Sequence, residues 1–163
     1  MVSRTCQRLC VFWLFLGLTQ ATIRAKRSDV EFLGGIRCHE KFGKSCYYFS
    51  DYALNWYEAH LSCFLHNATL AEIETREEAD FLRDKTKIYG GDRWLGGRDD
   101  LVESLWKWSS TGVSFPIFDW MPGQPDNLLN DQDCLRIMEF FFKWEDGYCS
   151  FPQKFICEAK ECL

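Results

Sequence analysis

The chain has 163 residues, a net charge of −5 and nine cysteines, a size that fits one domain. Its acidity repels phosphate backbones, so a nucleic-acid partner is not expected. No stretch beyond the first apolar run is long enough to span a bilayer.

Arg4 and Arg8 precede the apolar run Val11 to Leu18, and Thr19-Gln20-Ala21 places small residues where a signal peptidase cuts. Residues 1–21 are therefore expected to be a secretory signal peptide, with a signal anchor as the alternative. Arg24-Ala25-Lys26-Arg27 resembles the cleavage site of furin-like convertases. Either a propeptide covers 22–27, or the run is a basic patch in a terminal segment. The domain expected to follow is 28–163. Residues 1–27 hold five basic groups and no acids, so losing them takes the net charge to about −10. Cys6 and Cys10 would leave with the leader, and Cys38, Cys46, Cys63, Cys134, Cys149, Cys157 and Cys162 would remain. In a secreted domain these read as a disulfide framework. No Cys-x-x-Cys pair or clustered histidine supports zinc. Seven is odd, so one thiol is free or pairs with another chain.

In chain order, Asn55 can cap a helix through Trp56, Ala59, Cys63 and Phe64, whose spacing puts them on one face. Asn67-Ala68-Thr69 is an N-glycosylation sequon, although Asn67 also sits where that helix ends and a left-handed residue is wanted. Thr75-Arg76-Glu77-Glu78 predicts a capping box that opens a second helix, with Ala79, Phe81 and Leu82 as its apolar surface. Short strands are predicted at Arg93-Trp94-Leu95, stopping at Gly96-Gly97, then at Leu105 to Trp108, Cys134 to Met138, Phe141 to Trp144 and Phe155 to Glu158. From Met121 to Asp133 runs a loop with Pro122, Gly123 and Pro125, long enough to suggest function. Two helices followed by short strands and a long loop argue for an α+β fold. His39, His60 and His66 lack a metal spacing and read as surface or helix-face residues.

Several motifs coincide in order and spacing: Trp56, Ala59 and Cys63; Asn67 to Ile73; Glu78 and Phe81; Trp94-Leu95-Gly96-Gly97; Gln124-Pro125-Asp126; Asp133-Cys134; Trp144-Glu145-Asp146; Cys149; and Phe155-Ile156-Cys157-Glu158. The chain resembles a C-type lectin domain from about Cys38 to Glu158. The run from Trp120 to Asn127 is most similar to that of perlucin-like secreted lectins of molluscs. The resemblance implies disulfides Cys38–Cys46, Cys63–Cys157 and Cys134–Cys149. Cys162 is then left to bridge a disulfide-linked homodimer, or to take Cys38 and free Cys46.

The resemblance also implies calcium, which takes six to eight hard oxygen ligands. Carried over, the sugar-linked site is Gln124, Asp126, Gln132, Glu145 and Asp146. There Pro125 is the cis-proline of the family, and Gln124, Asp126, Glu145 and Asp146 also meet the sugar hydroxyls. Gln-Pro-Asp implies a galactose-type glycan. Two residues depart from the family: Gln132 stands for a usual Glu, and Glu145 for a usual Asn. The exchange conserves charge but removes an amide donor to the sugar. Leu128 and Leu129 also stand where galactose binders often carry a Trp. A second calcium site would use Asp99, Glu103, Asn127 and Asp133. The alternative for all these acids is a solvated loop. The function expected is a secreted calcium-dependent lectin. A second expectation is a perlucin-like shell matrix protein that touches calcium carbonate and matrix polysaccharide. No catalytic arrangement is readable, so an enzyme is not expected.

Overall fold

The computed structural model describes residues 37–160. The expected leader, the 22–27 segment and Cys162 lie outside the described residues. Eight strands form one sheet: β1 (Glu40–Phe42), β2 (Ser45–Phe49), β3 (Thr69–Leu70), β4 (Arg93–Arg98), β5 (Lys107–Trp108), β6 (Cys134–Ile137), β7 (Trp144–Gly147) and β8 (Lys154–Lys160). The order is β1-β2-β8-β4-β6-β7, with β3 also on β8 and β5 also on β4. β8 and β4 run parallel, and the other pairs are antiparallel. With helices α1 (Trp56–Leu65) and α2 (Arg76–Tyr89), this is the α+β arrangement expected.

Asn55 caps α1: its side chain accepts from Glu58 N at 2.9 Å, and Glu58 reaches back to Asn55 N at 3.3 Å. Trp56, Ala59 and Cys63 face the core, but Phe64 is 67% exposed, one step round from the buried stripe. Thr75 caps α2 by accepting from Glu78 N at 3.1 Å. Glu78 does not close the predicted box. Its carboxylate accepts instead from Glu74 N at 2.7 Å and from the buried Tyr47 hydroxyl. Asn67 is left-handed, as its place after α1 suggested.

The strand at Trp94 does not stop at the glycines; β4 continues through them to Arg98. The reason is close packing. A Cβ at Gly96 would lie 2.8 Å from Leu70 O, and one at Gly97 would lie 2.3 Å from Phe115 Cζ. Phe141 lies in a turn and Phe142 has a positive φ, so β7 begins only at Trp144. Leu105 and Trp106 likewise precede a β5 of two residues. The hairpin β1–β2 pairs with β8.

Among the described residues, three disulfides staple the fold. Cys63–Cys157 ties α1 to β8, Cys134–Cys149 ties β6 to the turn after β7, and Cys38–Cys46 closes the first hairpin. Beneath β2 and β8 lie buried carboxylates. Glu158 accepts from Ser45 Oγ at 2.6 Å and from Glu72 N at 3.2 Å, while Glu72 accepts from Ser110 N at 2.7 Å. Burial pushes the pKa of both above the ordinary glutamate value of 4.5. The fold thus favours their neutral forms. Their stability contribution is full at low pH and is lost as pH rises from about 4.5 through the raised folded values. Glu158→Gln, which keeps an acceptor oxygen and cannot ionise, is expected to gain in melting temperature relative to the parent as pH rises above about 4.5. Melting curves across this range check it, and a difference that stays constant or reverses with pH contradicts it.

Candidate functional site

The long loop leaves the sheet beside β7, where Met121 N donates to Trp144 O at 2.8 Å, and returns at β6. Its Gln124–Pro125 bond is cis, and Asn127, Leu129 and Asn130 have positive φ around a short 3-10 turn at Leu128–Asn130. Asparagine tolerates that region; Leu129 occupies it with its side chain 79% exposed.

Asp146, on β7 and fully buried, organises the loop. Its carboxylate accepts from Asp126 N at 3.3 Å and from Asn127 N at 2.6 Å. Gln132, also buried, accepts from Leu128 N at 2.7 Å and donates its amide to Asp146 O at 3.4 Å, while its own N donates to Asn127 Oδ1 at 3.1 Å. A glutamate could accept at this position but not donate, which is a physical reason for the Gln. Tyr148 adds a hydroxyl donated to Leu128 O at 3.3 Å.

Asp126, Gln132 and Asp146 are thus drawn into one network, while Gln124 Oε1 makes no hydrogen bond to it. Glu145 is not part of it. On the next position of β7, its carboxylate is held by Arg136, with Nε at 3.1 Å and Nη2 at 2.9 Å. Arg136 is its register partner on β6. Sequence reasoning missed Arg136; the alternation of two adjacent short strands is the signal that would have found it.

Of the second set, Asn127 Nδ2 donates to Glu103, and Asp99 N donates to Asp133 O at 3.2 Å. Asp99 Oδ2 accepts from Ser104 N at 2.9 Å, while Asp99 Oδ1 is buried with no partner. Burial pushes the pKa of Asp99 up to about 6, with the charges of Glu103, Asp133 and Asp146 adding to it. Asp133 is raised by burial and by Glu103, Asp100, Asp131 and Asp146. Burial also raises Asp146, against the backbone amides that hold it ionised, and Glu145, against Arg136.

Among the described residues, no three His, Cys, Asp or Glu side chains converge at ligand distances. The donor set nonetheless has the hard-oxygen character that calcium takes. Gln124 Oε1 is buried without a hydrogen-bond partner, two residues from a loop amide held by Asp146. Asp126 is exposed beside it. Crowded carboxylates with raised pKa values and orphaned oxygens fit a divalent cation.

Comparison with known proteins places the chain in a family. The Lectin C-type domain family matches residues 52–159. Human C-type lectin domain family 10 member A is 36% identical over 122 residues, covering 71% of this chain and 37% of that protein. The chain therefore spans little more than a third of that relative. Perlucin from Haliotis laevigata is 33% identical over 121 residues, covering 72% of this chain and 77% of perlucin. The galactose-specific lectin nattectin from Thalassophryne nattereri is 31% identical over 118 residues, covering 71% and 74%. Among solved structures, the carbohydrate-recognition domain of the mouse scavenger receptor C-type lectin superposes with a TM-score of 0.70 at 32% identity, covering 76% of this chain and 95% of that one.

Proposed function

The chain belongs to the C-type lectin domain family, a family of carbohydrate-binding domains rather than enzymes, and from that premise we propose a secreted lectin that holds a galactose-type glycan through calcium on the 121–133 loop. The observation that carries this reading is the buried, unpartnered Gln124 Oε1 next to a loop built on Asp146. Gln124, Asp126 and Asp146 would hold the ion, with Gln132 fixing the loop and Glu145 joining only after it leaves Arg136. A bound ion would supply a Lewis-acidic centre for two sugar hydroxyls. The side chains would orient that pair by hydrogen bonds. Asp99, Glu103, Asn127 and Asp133 would form the second site. The order Gln-Pro-Asp and the likeness to nattectin, named as galactose-specific, support galactose.

The exchange at 132 and 145 then has a testable consequence. Arg136→Gln frees the Glu145 carboxylate and is expected to tighten calcium roughly fivefold, about 1 kcal/mol for a half-buried ion pair. Calcium titration by calorimetry checks it, and an unchanged affinity would take Glu145 out of the ligand set.

A second reading, a mineral-associated matrix protein, is favoured by the likeness to perlucin and by the crowded acids. A glycan array run with calcium and with chelator separates the two. Calcium-dependent galactose signals support the lectin. Sugar-independent retention on carbonate crystals, with a blank array, supports the matrix protein.

Two further features remain proposals: Asn67 as a glycosylation site and Cys162 as an intermolecular bridge. Among the described residues no helix is long and apolar enough to cross a membrane.

A further inference from the structure

β4 has two ends. At Arg98 it meets Cys134 and the calcium loop; at Arg93 it meets Ile137 and Lys154. The six residues between them put roughly 17 Å between the two ends. At the Arg93 end lies a cavity of about 380 Å³ whose walls include Arg37, His39, Tyr48, Tyr89, Arg93 and Lys154.

The charges of this cavity are out of balance. Arg93 is 1% exposed. Its guanidinium donates to three backbone carbonyls, Ser50 O at 2.9 Å, Tyr89 O at 3.0 Å and Gly90 O at 2.7 Å, and its Nε has no partner. Among the described residues no carboxylate lies within ion-pair distance of Arg93, Lys154 or Arg37. A buried cation without an anion is costly, and burial lowers the Arg93 pKa to about 10.

Lys154 adds to the imbalance. It is the register partner of Arg93 across the parallel β4–β8 pair, where like charges destabilise a sheet. Gly91 holds it there: a Cβ at Gly91 would lie 3.1 Å from Lys154 Cδ, so the glycine makes room for the lysine stem. Among the described residues, the only acid on the cavity wall is the exposed Asp51. Glu139 also raises the Arg93 pKa, from outside the lining.

The remaining wall is aromatic. His39 stands 4.7 Å from Tyr48, and Tyr89 stacks on Phe49 at 4.4 Å, with Arg93 placed 5.5 Å from the Phe49 ring. Cations lining a cavity beside aromatic rings suit a ligand that joins an oxyanion to a sugar ring.

We propose that this cavity is a second, calcium-independent site, which binds a sulfated saccharide by its sulfate ester between Arg37 and Lys154 with the ring against Tyr48 and Tyr89. It stands on the opposite end of β4 from the calcium loop and does not depend on that loop's function.

The test is calorimetry on the full chain in excess chelator, where the calcium loop is silent, with galactose 6-sulfate, galactose and inorganic sulfate as probes. Galactose 6-sulfate is expected to bind and galactose is not. Lys154→Glu, at a half-buried position away from the Arg93 carbonyl bonds, is expected to weaken the sulfated sugar at least about tenfold. Arg37→Glu should do the same with its melting temperature unchanged, while Lys154→Glu, which puts a carboxylate beside Arg93, should melt no lower than the parent. The proposal is overturned if galactose 6-sulfate does not bind in chelator, or if both variants bind it like the parent. Inorganic sulfate binding as tightly as the sulfated sugar also overturns it, since the rings would then contribute nothing.

Discussion

Asp126→Ala is expected to weaken calcium-dependent galactose binding at least about a hundredfold while leaving the melting temperature within about 2 °C of the parent. The separation follows from where the residue sits. Its side chain is exposed on the loop, and its backbone amide, which the substitution keeps, is what anchors the loop to Asp146. Core packing and the disulfides are elsewhere. Only the carboxylate is lost, and with it the anionic ligand proposed to meet both calcium and sugar. Asp146→Asn makes an informative contrast. It weakens the acceptor for two loop amides, so both binding and loop order should suffer. Retention on galactose resin together with a thermal melt checks both, and an Asp126→Ala protein that binds like the parent in millimolar calcium contradicts the assignment.

Removing the Cys63–Cys157 bridge by the double change to Ala is expected to be the largest single loss of stability. The bond closes a sequence separation of 94 residues, for which the loop-entropy relation gives about 4.6 kcal/mol. For a domain of this size that is a fall in melting temperature of roughly 15–25 °C. Both sulfurs are buried between α1 and β8, next to Trp56, Leu70 and Trp94, so lost packing adds to the entropic effect. Cys134–Cys149 closes 15 residues and should cost about 3 kcal/mol. Cys38–Cys46 closes 8 and should cost less again. Melting the three double variants under non-reducing conditions gives the order. If the Cys38–Cys46 pair mattered most, loop closure would not be the governing term.

Much of this arrangement is legible in local residue patterns. The Asn55 cap and the Trp56, Ala59 and Cys63 spacing report an interior face directly, and the order of motifs from Trp94 to Glu158 reports the family. What escapes is settled by contacts distant in sequence. Gly96 and Gly97 read as a strand stop, yet they lie inside β4 because Leu70 and Phe115 approach too closely for a side chain. Glu78 reads as the closing residue of a box, but the Tyr47 hydroxyl and Glu74 N compete for its carboxylate.

At the site, Gln124, Asp126, Gln132 and Asp146 are candidates carried over from the family pattern, on the loop and on β7. Gln132 and Glu145 read together as an exchanged pair. In space they have separate partners: Gln132 bridges the loop to Asp146 O, and Glu145 answers Arg136. Residue types alone could not reveal that, since the pairing of 136 with 145 depends on the β6–β7 register. The Arg93–Lys154 juxtaposition is hidden for the same reason, as parallel partners 61 positions apart in the sequence.

The most direct test of calcium-dependent sugar recognition is a galactose titration by calorimetry, done once in saturating calcium and once in excess chelator. A saturable heat is expected in calcium and none in chelator, with galactose tightening the calcium affinity by the same factor that calcium tightens galactose. Equal galactose binding in both buffers, or none in either alongside tight calcium binding, would contradict it.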